Sequence, residues 1–282
     1  MKVAIQGVKG AFHEIAARKY FEDRQDLEIV EKLTFDDVVE SVANYETSFG
    51  VIAIENALSG TINVNLELIR KNDVKICGEI FIRIKQNLAA NKGVKIEDLK
   101  EVHSHYMAIN QTRQFFRKYP HIKLVECAST AVGLREVAQT KSTTIGAVGS
   151  DYAIELNDLE ILAPGIETNS RNYTRFVIIR PKNEENPSTY DKASLNIVLE
   201  NEQGCLSKIL SIISIYNVDL TKIESMPLMG QPMNYMFYID VKFKDIMRYK
   251  NMLTAIRPLL RDLSILGEYK EGYQSWREVH NN

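Results

Sequence analysis

The rhythm of this chain changes once, and that change limits what it can fold into. Over residues 1 to 180, short β-rich runs alternate with segments of helical period. Lys2–Gln6, Glu28–Lys32, Gly50–Ile54 and Lys75–Ile84 read as strands, as do Val102–Ser104, Lys123–Cys127, Thr144–Val148 and Thr174–Ile179. Phe12–Phe21, Phe35–Ala43, Met107–Tyr119 and Thr130–Gln139 read as helices. Such alternation predicts α/β architecture with largely parallel sheets. The apolar run Ile76–Ile84 is expected to carry the chain into a second lobe, and residues 160–181 to return it. One lobe is then residues 1–77 plus 160–181 and the other 78–159, with a cleft between them where small molecules commonly bind.

Pro181–Ser188 ends this rhythm, because prolines and clustered charges resist both helix and strand. Residues 182–192 are read as a linker. Beyond it, Ala193–Leu199 alternates like a half-buried strand, and Leu206, Ile209, Leu210 and Ile213 share one helix face. Val218–Ile223 and Tyr235–Val241 read as strands, Ile246–Ile256 as a helix and Leu263–Tyr269 as a last strand. The order βαββαβ over residues 193–270 predicts an α+β, ferredoxin-like unit. Residues 271–282 read as a weakly ordered tail in which Trp276 can dock on the body or on a partner subunit.

Composition excludes several classes. The 282 residues are 45% hydrophobic and 26% charged, as in ordinary soluble proteins. Thirty-seven acidic against 35 basic residues leave no basic surplus or stripe for nucleic acid. No apolar run has the length of a signal peptide or a membrane span, so no membrane partner is expected. Cys77, Cys127 and Cys205 are widely spaced and form no CxxC pair, which points to free thiols in a reducing cytoplasm. Two glycosylation-like triplets, Asn110–Thr112 and Asn172–Thr174, are then chance matches.

Small polar groups gather where strands give way to helices. Gly7-Val-Lys-Gly10-Ala11-Phe12-His13 is a turn whose glycines would also let backbone amides meet an anion; it lacks the dinucleotide fingerprint. Asn56, in Glu55-Asn56-Ala57-Leu-Ser59-Gly60, can donate to a ligand or bond its own turn. Ser104-His105 and Ser129-Thr130 stand at two further junctions, where a helix cap is the plain explanation. His103-x-His105 has no third ligand at suitable spacing, so no metal is expected. Asn172-Tyr173-Thr174-Arg175-Phe176 sets a hydroxyl, a fixed cation and an aromatic ring side by side before the linker. Convergence of the helix N-termini on one cleft would suit a small anion.

These motifs, in this order and spacing, resemble the prephenate dehydratase family over nearly the whole chain. Gly7–Phe12 matches its Gly-x-x-Gly-small-aromatic motif and Glu55–Gly60 its Glu-Asn-Ser…Gly motif. Ser104-His105, Ser129-Thr130-Ala131 and Asn172–Phe176 match its Ser-His, Ser-Thr-Ala and Asn-x-Thr-Arg-Phe motifs. The C-terminal unit resembles the family's ACT domain, with Asn201-Glu-Gln-Gly204-Cys205-Leu206 and Glu224-Ser225-Met226-Pro227 similar to its phenylalanine-binding segments. The resemblance implies a two-lobed catalytic region like periplasmic binding proteins, no cofactor, and a homodimer or homotetramer. It also implies conversion of prephenate to phenylpyruvate, water and CO2 in L-phenylalanine biosynthesis, with L-phenylalanine inhibiting through the ACT domain. Departures are Ala57 for serine, Tyr106-Met107 for Pro-Gln, His13 for serine or threonine, Ala11 without a hydroxyl, and Met226 for arginine.

On that resemblance Thr174 is the catalytic donor to the departing ring hydroxyl. Gly10, Ala11, Phe12, Asn56, Ser104, His105, Ser129, Thr130, Arg175 and Phe176 are candidate substrate contacts. Asn201, Gly204, Cys205, Leu206, Glu224 and Ser225 are candidate effector contacts. The strand period puts Asn172, Thr174 and Phe176 on one face and Arg175 on the other, where it either pairs with a scaffold carboxylate or reaches substrate from an irregular strand end. Phe176 either walls the cleft or packs in the core. Helix N-termini at Ala11–Phe12 and Ser129–Thr130 are expected to take the side-chain carboxylate of the substrate. Two alternatives stay open: an arogenate dehydratase, and a non-catalytic two-lobed sensor.

Overall fold

The computed structural model describes residues 1–282 except 186, 201, 229–234 and 278–282. β1 (Lys2–Gln6) pairs in parallel with β2 (Glu28–Lys32) and β3 (Phe49–Asn56), through crossover helices α1 (Phe12–Tyr20) and α2 (Phe35–Ala43). Val3, Ala4 and Ile5 are fully buried, as in a parallel strand covered on both faces. Thr34 and Asp37 close a capping box at the start of α2, which explains its sharp onset. After β4 (Gly60–Thr61) and α3 (Asn63–Lys71), β5 (Val74–Arg83) leads out of this lobe.

The second lobe contains β6 (Asn87–Ala90), β7 (Glu101–Ser104), α4 (Tyr106–Phe116), β8 (Lys123–Glu126), α5 (Thr130–Thr140), β9 (Ile145–Gly149), α6 (Asp151–Leu156) and β10 (Glu160–Ala163). Its five strands lie in the order β10-β6-β9-β7-β8. The chain returns as β11 (Tyr173–Pro181), antiparallel between β3 and β5. This corrects the expected lobe limits at both crossings. The Ile76–Ile84 run stays in the first sheet, since β5 is paired with β11 from Val74 to Arg83. Residues 160–163 belong to the second sheet, because β10 pairs with β6.

Next come β12 (Lys192–Leu199), α7 (Cys205–Ile215), β13 (Asp219–Pro227), β14 (Tyr235–Lys242), α8 (Ile246–Ile256) and β15 (Leu260–Tyr269). They follow one another as βαββαβ, with antiparallel neighbours in the order β13-β14-β12-β15. β15 then meets β5 at Gly267 and Ile76, so these strands continue the first sheet into one of eleven strands. Any side chain at Gly267 would strike the Ile76 carbonyl. An apolar core of Ala4, Val38, Ile52, Leu66, Ile76, Val177, Met226, Met236 and Leu266 runs through the junction. Met226, the departure from arginine, is therefore buried in the core shared by the two units.

The described part of the tail is more ordered than expected, and Trp276 takes one of its two expected places, on the body. β16 (Tyr273–Gln274) adds in parallel to β5, and the Trp276 ring meets Phe81 and Tyr173 edge-on at 4.8 and 5.2 Å. These ring contacts and the β16 pairing hold residues 273–276 to the body. The linker likewise ends before Lys192, a buried residue of β12 whose ammonium donates to both Glu79 carboxylate oxygens at 2.8 and 2.9 Å.

Lys192 belongs to a buried cluster across the junction. Arg175 on β11 donates to Glu79 on β5 at 2.8 Å, to Tyr269 on β15 at 3.1 Å, and to Asp240 on β14. Ser194 on β12 donates to Asp240 at 2.5 Å and also lies 2.6 Å from the Tyr269 hydroxyl. Burial opposes charge on Asp240, yet Arg175 and Lys192 hold its carboxyl below the ordinary carboxylate range. A depressed folded-state value gives stability that is fully present above the unfolded pKa and is lost as pH falls through the folded one. Asp240→Asn is expected to cost about 3–5 kcal/mol at neutral pH, because it leaves Arg175 with less buried counter-charge. The loss is read as a lower urea midpoint. The same variant should flatten the acid side of the stability profile.

Candidate active site

A cavity of about 510 Å³ lies between the lobes. Five helices begin on its wall. α1 presents Ala11 and Phe12, α2 Phe35, α3 its cap residue Ile62, α4 His105 and Met107, and α5 Ser129 and Thr130. The first N–H groups of a helix have no carbonyl partner within it, and each N-terminus carries partial positive charge. Among the described residues, no Lys, Arg, Asp or Glu lines the cavity; its histidines are His13 and His105. The wall is therefore apolar surface, neutral hydrogen-bonding groups and helix N-termini, a combination suited to a small anion.

The hydrogen bonds around Thr174 have a direction fixed from the backbone outward. Asn56 Oδ1 accepts from the Leu58 and Ser59 N–H groups at 3.0 and 3.1 Å, which only the oxygen of the amide can do. Its Nδ2 must then face β11, where it donates to Thr174 Oγ1 at 2.9 Å and to Asn172 Oδ1 at 2.8 Å. Asn172 passes the sequence on by donating to Gln111 Oε1 of α4 at 2.9 Å, across the cleft. Because Thr174 Oγ1 accepts from Asn56, its own O–H is left to donate to a ligand. Thr174 is 8% exposed and lines the cavity, so a ligand there is within reach of that hydroxyl.

The expected contacts divide clearly. Ala11, Phe12, Asn56, His105, Ser129, Thr130, Thr174 and Phe176 all line the cavity. Gly10, Ser104 and Arg175 do not. Gly10 adopts φ +90°, its N–H donates to Glu14 at 2.7 Å, and a Cβ there would come 2.9 Å from Ala153; it lets α1 start against α6. The Ser104 hydroxyl is fully buried and donates to the Val148 carbonyl at 2.8 Å, tying β7 to β9. Arg175 points away from Thr174 and Phe176 into the ionic cluster, as strand alternation requires. Ser129 and His105 also serve as caps, accepting from the Val132 and Met107 N–H groups at 3.2 and 3.3 Å.

Sequence reasoning missed Gln6, Phe35, Gln86 and Gln111 as cavity residues. Gln111 had a readable position, one helical turn beyond Met107 on the same face of α4. Gln86 had no such signal, since it sits in the connection between the lobes. His13, noted only as a departure, lies on the wall with its ring edge-on to Phe176 at 5.0 Å and tilted to Phe35 at 5.4 Å. Burial lowers its pKa to about 4, so it is neutral at pH 7.

Among the candidate effector residues, Asn201 lies outside the described residues. Gly204 has φ +78° and caps α7, with Cys205 and Leu206 in its first turn. Glu224 and Ser225 stand on β13, the outer strand, separated from β12 by β14. Glu224 accepts from Thr61 Oγ1 at 3.0 Å, and neighbouring Lys222 pairs with Glu55 at 3.1 Å and donates to Thr61 at 2.7 Å.

Two α/β lobes flank this cleft, and on its wall the Asn56 amide donates to the Thr174 hydroxyl oxygen. The chain belongs to the prephenate dehydratase family, whose model, described as prephenate dehydratase, matches residues 3–184. A protein of Aquifex aeolicus named bifunctional chorismate mutase/prephenate dehydratase is 33% identical over 271 residues, covering 95% of this chain and 73% of that protein. Arogenate dehydratase 2 of Petunia hybrida is 34% identical over 288 residues, covering 95% and 71%. Among solved structures, the prephenate dehydratase of Staphylococcus aureus subsp. aureus Mu50 is 26% identical with TM-score 0.84, covering 95% of this chain and 100% of that one. A chain described as GqqA, a novel type of quorum quenching acylase, has TM-score 0.85 at 26% identity, covering 98% and 100%. The prephenate dehydratase of Arthrobacter aurescens in complex with L-Phe matches in fold at TM-score 0.84 and 24% identity, covering 96% and 90%.

If Asn56 acts by orienting Thr174, the two must be coupled. Asn56→Ala is expected to lower kcat by about 10²–10³-fold, the usual cost of one misplaced donor in a preorganised site. In a Thr174→Ala background the same change should cost almost nothing more, which a double-mutant cycle on kcat measures.

Proposed function

We propose that the chain converts prephenate to phenylpyruvate, water and CO2 in L-phenylalanine biosynthesis, in the cytoplasm. The observation that carries this reading is the Thr174 hydroxyl, whose oxygen is occupied by Asn56 and whose proton is free. In the reaction the bond between the ring and its carboxylate breaks, and its electron pair enters the ring as CO2 leaves. The C4–oxygen bond breaks in turn, and the departing oxygen takes its second proton. Aromatisation drives both cleavages, so assistance is needed mainly at the leaving oxygen. Thr174 donates there, and the Asn56 amide stabilises charge left on Oγ1. Ala11–Phe12 and Ser129–Thr130 hold the side-chain carboxylate by helix N-termini.

The uncharged wall favours prephenate over arogenate. Arogenate replaces the keto group with an ammonium, and among the described residues no carboxylate lines the cavity to pair with it. A sensor reading leaves the Asn56–Thr174 arrangement without a purpose, since binding an anion does not need an oriented O–H donor. We further propose residues 1–181 as the catalytic region and the βαββαβ unit as a ferredoxin-like ACT domain that binds L-phenylalanine. Gly204–Leu206 and Glu224–Ser225 stand on different elements with β14 between β13 and β12, so one effector touching both sets is best reached at a junction of two copies. That supports a homodimer, or a tetramer made of such pairs.

Purified protein is expected to turn over prephenate with a kcat/KM at least about tenfold above that for arogenate, the scale set by one unpaired buried charge. Thr174→Ala should lower kcat about 10²–10³-fold with little change in prephenate affinity. Near-normal turnover by that variant overturns the role of Thr174. L-phenylalanine should inhibit the wild type, and Glu224→Gln should shift the half-inhibitory concentration. Identical rates with and without millimolar L-phenylalanine would reject the regulatory reading.

A further inference from the structure

The cavity contains a side chain that neither the family motifs nor the proposed chemistry uses. His13 stands where serine or threonine is common among the resembling motifs, and it lines the same wall as Thr174 and Phe176. Its ring is held between Phe35 and Phe176 by contacts of 5.4 and 5.0 Å. Its Nε2 is sealed from solvent and has no hydrogen-bond partner among the described residues, while the residue as a whole is only half-buried. A neutral imidazole carries a single N–H; leaving the sealed Nε2 as the bare acceptor puts that proton on Nδ1, the nitrogen left to meet a ligand in the cavity.

Position narrows which part of the ligand that is. Thr174 and Phe176 share a face of β11 and are two residues apart, roughly 7 Å along a strand. A six-membered ring carrying one group at each end bridges such a distance. With its hydroxyl at Thr174, the opposite quaternary carbon comes beside Phe176, and His13 packs on Phe176. We propose that His13 touches bound substrate there, giving a neutral ring N–H to the carboxylate that departs as CO2, and so acts as a specificity-determining residue of this chain. The proposal rests on the prephenate reading above and assigns the second of that substrate's two carboxylates.

Neutrality is what this position requires. A cation would stabilise the carboxylate of the ground state and lose that interaction as CO2 leaves. A neutral donor orients the group and gives up little. The charged side chains of the surrounding elements are all engaged elsewhere or outward. Glu14 on α1 accepts from Gly10, Arg18 and Tyr152. On α2, Asp36 is exposed and Asp37 caps the helix. Glu55 on β3 pairs with Lys222, and Arg175 on β11 faces the ionic cluster. His105 on α4 is the other titratable group on the wall. Burial alone accounts for the low pKa of His13 in the free protein. A carboxylate beside it pulls that value up, so binding favours protonation as the pH falls.

The test is His13→Phe, which keeps the ring packing and removes both nitrogens, with His13→Asn restoring one neutral N–H. His13→Phe should raise KM for prephenate by about 10-fold or more, the weight of a hydrogen bond to a charged group, with kcat changed far less. His13→Asn should recover most of the loss. Phenylpyruvate lacks the departing carboxylate, so its inhibition constant should be the same for wild type and His13→Phe. In the wild type, KM and kcat should fall together as pH is lowered from neutrality toward about 4, and His13→Phe should lose this joint response. An unchanged KM in His13→Phe, or equal weakening of prephenate and phenylpyruvate, overturns the assignment of His13 while leaving the reaction intact. Wild-type protein inert on prephenate overturns the reaction and, with it, this assignment.

Discussion

The buried ionic cluster around Arg175 is the constraint on which the placement of the site depends. Arg175 and Lys192 supply two cations, Glu79 and Asp240 two carboxylates, and the four stand on β11, β12, β5 and β14. Burial works against the Arg175 charge, yet Asp240 and Glu79 carry its pKa well above the ordinary value. Such a cluster is a poor source of stability compared with apolar packing, but it tolerates very few arrangements. Each ion is satisfied only when β15 docks on β5 and β11 lies in its observed register. With Arg175 fixed on one face of β11, Thr174 and Phe176 must stand on the other. The face on which Thr174, the proposed donor, stands is therefore set from behind, by charges outside the cavity lining.

The cleft itself follows the opposite rule. Among the described residues no lysine, arginine, aspartate or glutamate lines it, although the proposed substrate carries two carboxylates. Five helix N-termini and several amides offer partial charges whose positions are fixed before binding, so little reorganisation is needed when charge moves in the reaction. A lysine or arginine on the wall would bind the dianion more tightly and hold back the decarboxylation. The same absence of carboxylates makes an ammonium group unwelcome. The proposed catalysis and the proposed selectivity thus rest on one feature, a wall without lysine, arginine or carboxylate among the described residues.

Much of this was legible before the fold was known. The period change at residue 181 separated the βα region from the βαββαβ region, and α2, α8, β1 and β2 begin and end where pattern places them. Alternation along β11 already parted Thr174 from Arg175. What escaped were elements whose residues contradict their conformation. β6 is Asn87-Leu-Ala-Ala, poor in strand formers and held by burial between β10 and β9. α3 begins Asn63-Val-Asn-Leu with no side-chain cap, and tertiary contacts decide it. The lobe crossings were misplaced because an apolar run cannot say which neighbours cover it. Gly10 and Ser104 belong to site-like motifs yet serve the scaffold, since a motif fixes the backbone path around a site as well as its contacts.

A second contact reaches the same chemistry by another path. Lys222 and Glu224 of β13 hold Thr61 and Glu55, the two ends of the turn whose Leu58 and Ser59 amides fix the direction of Asn56. Glu55 also lies 3.8 Å from Arg175, so the turn and the ionic cluster share a carboxylate. The C-terminal unit therefore grips the supports of both Asn56 and Thr174, the proposed catalytic pair. Through Arg175 it sets the strand that carries Thr174, and through Thr61 and Glu55 it sets the turn that aims Asn56. These grips differ in kind. The cluster is buried and costly to open, whereas Glu55 is half-buried and Glu224 sits on an outer strand. A ligand that draws Glu224 away from Thr61 would loosen the turn without disturbing the cluster. It would misdirect the Asn56 amide and leave the fold intact, as reversible control of catalysis by a folded regulatory unit requires.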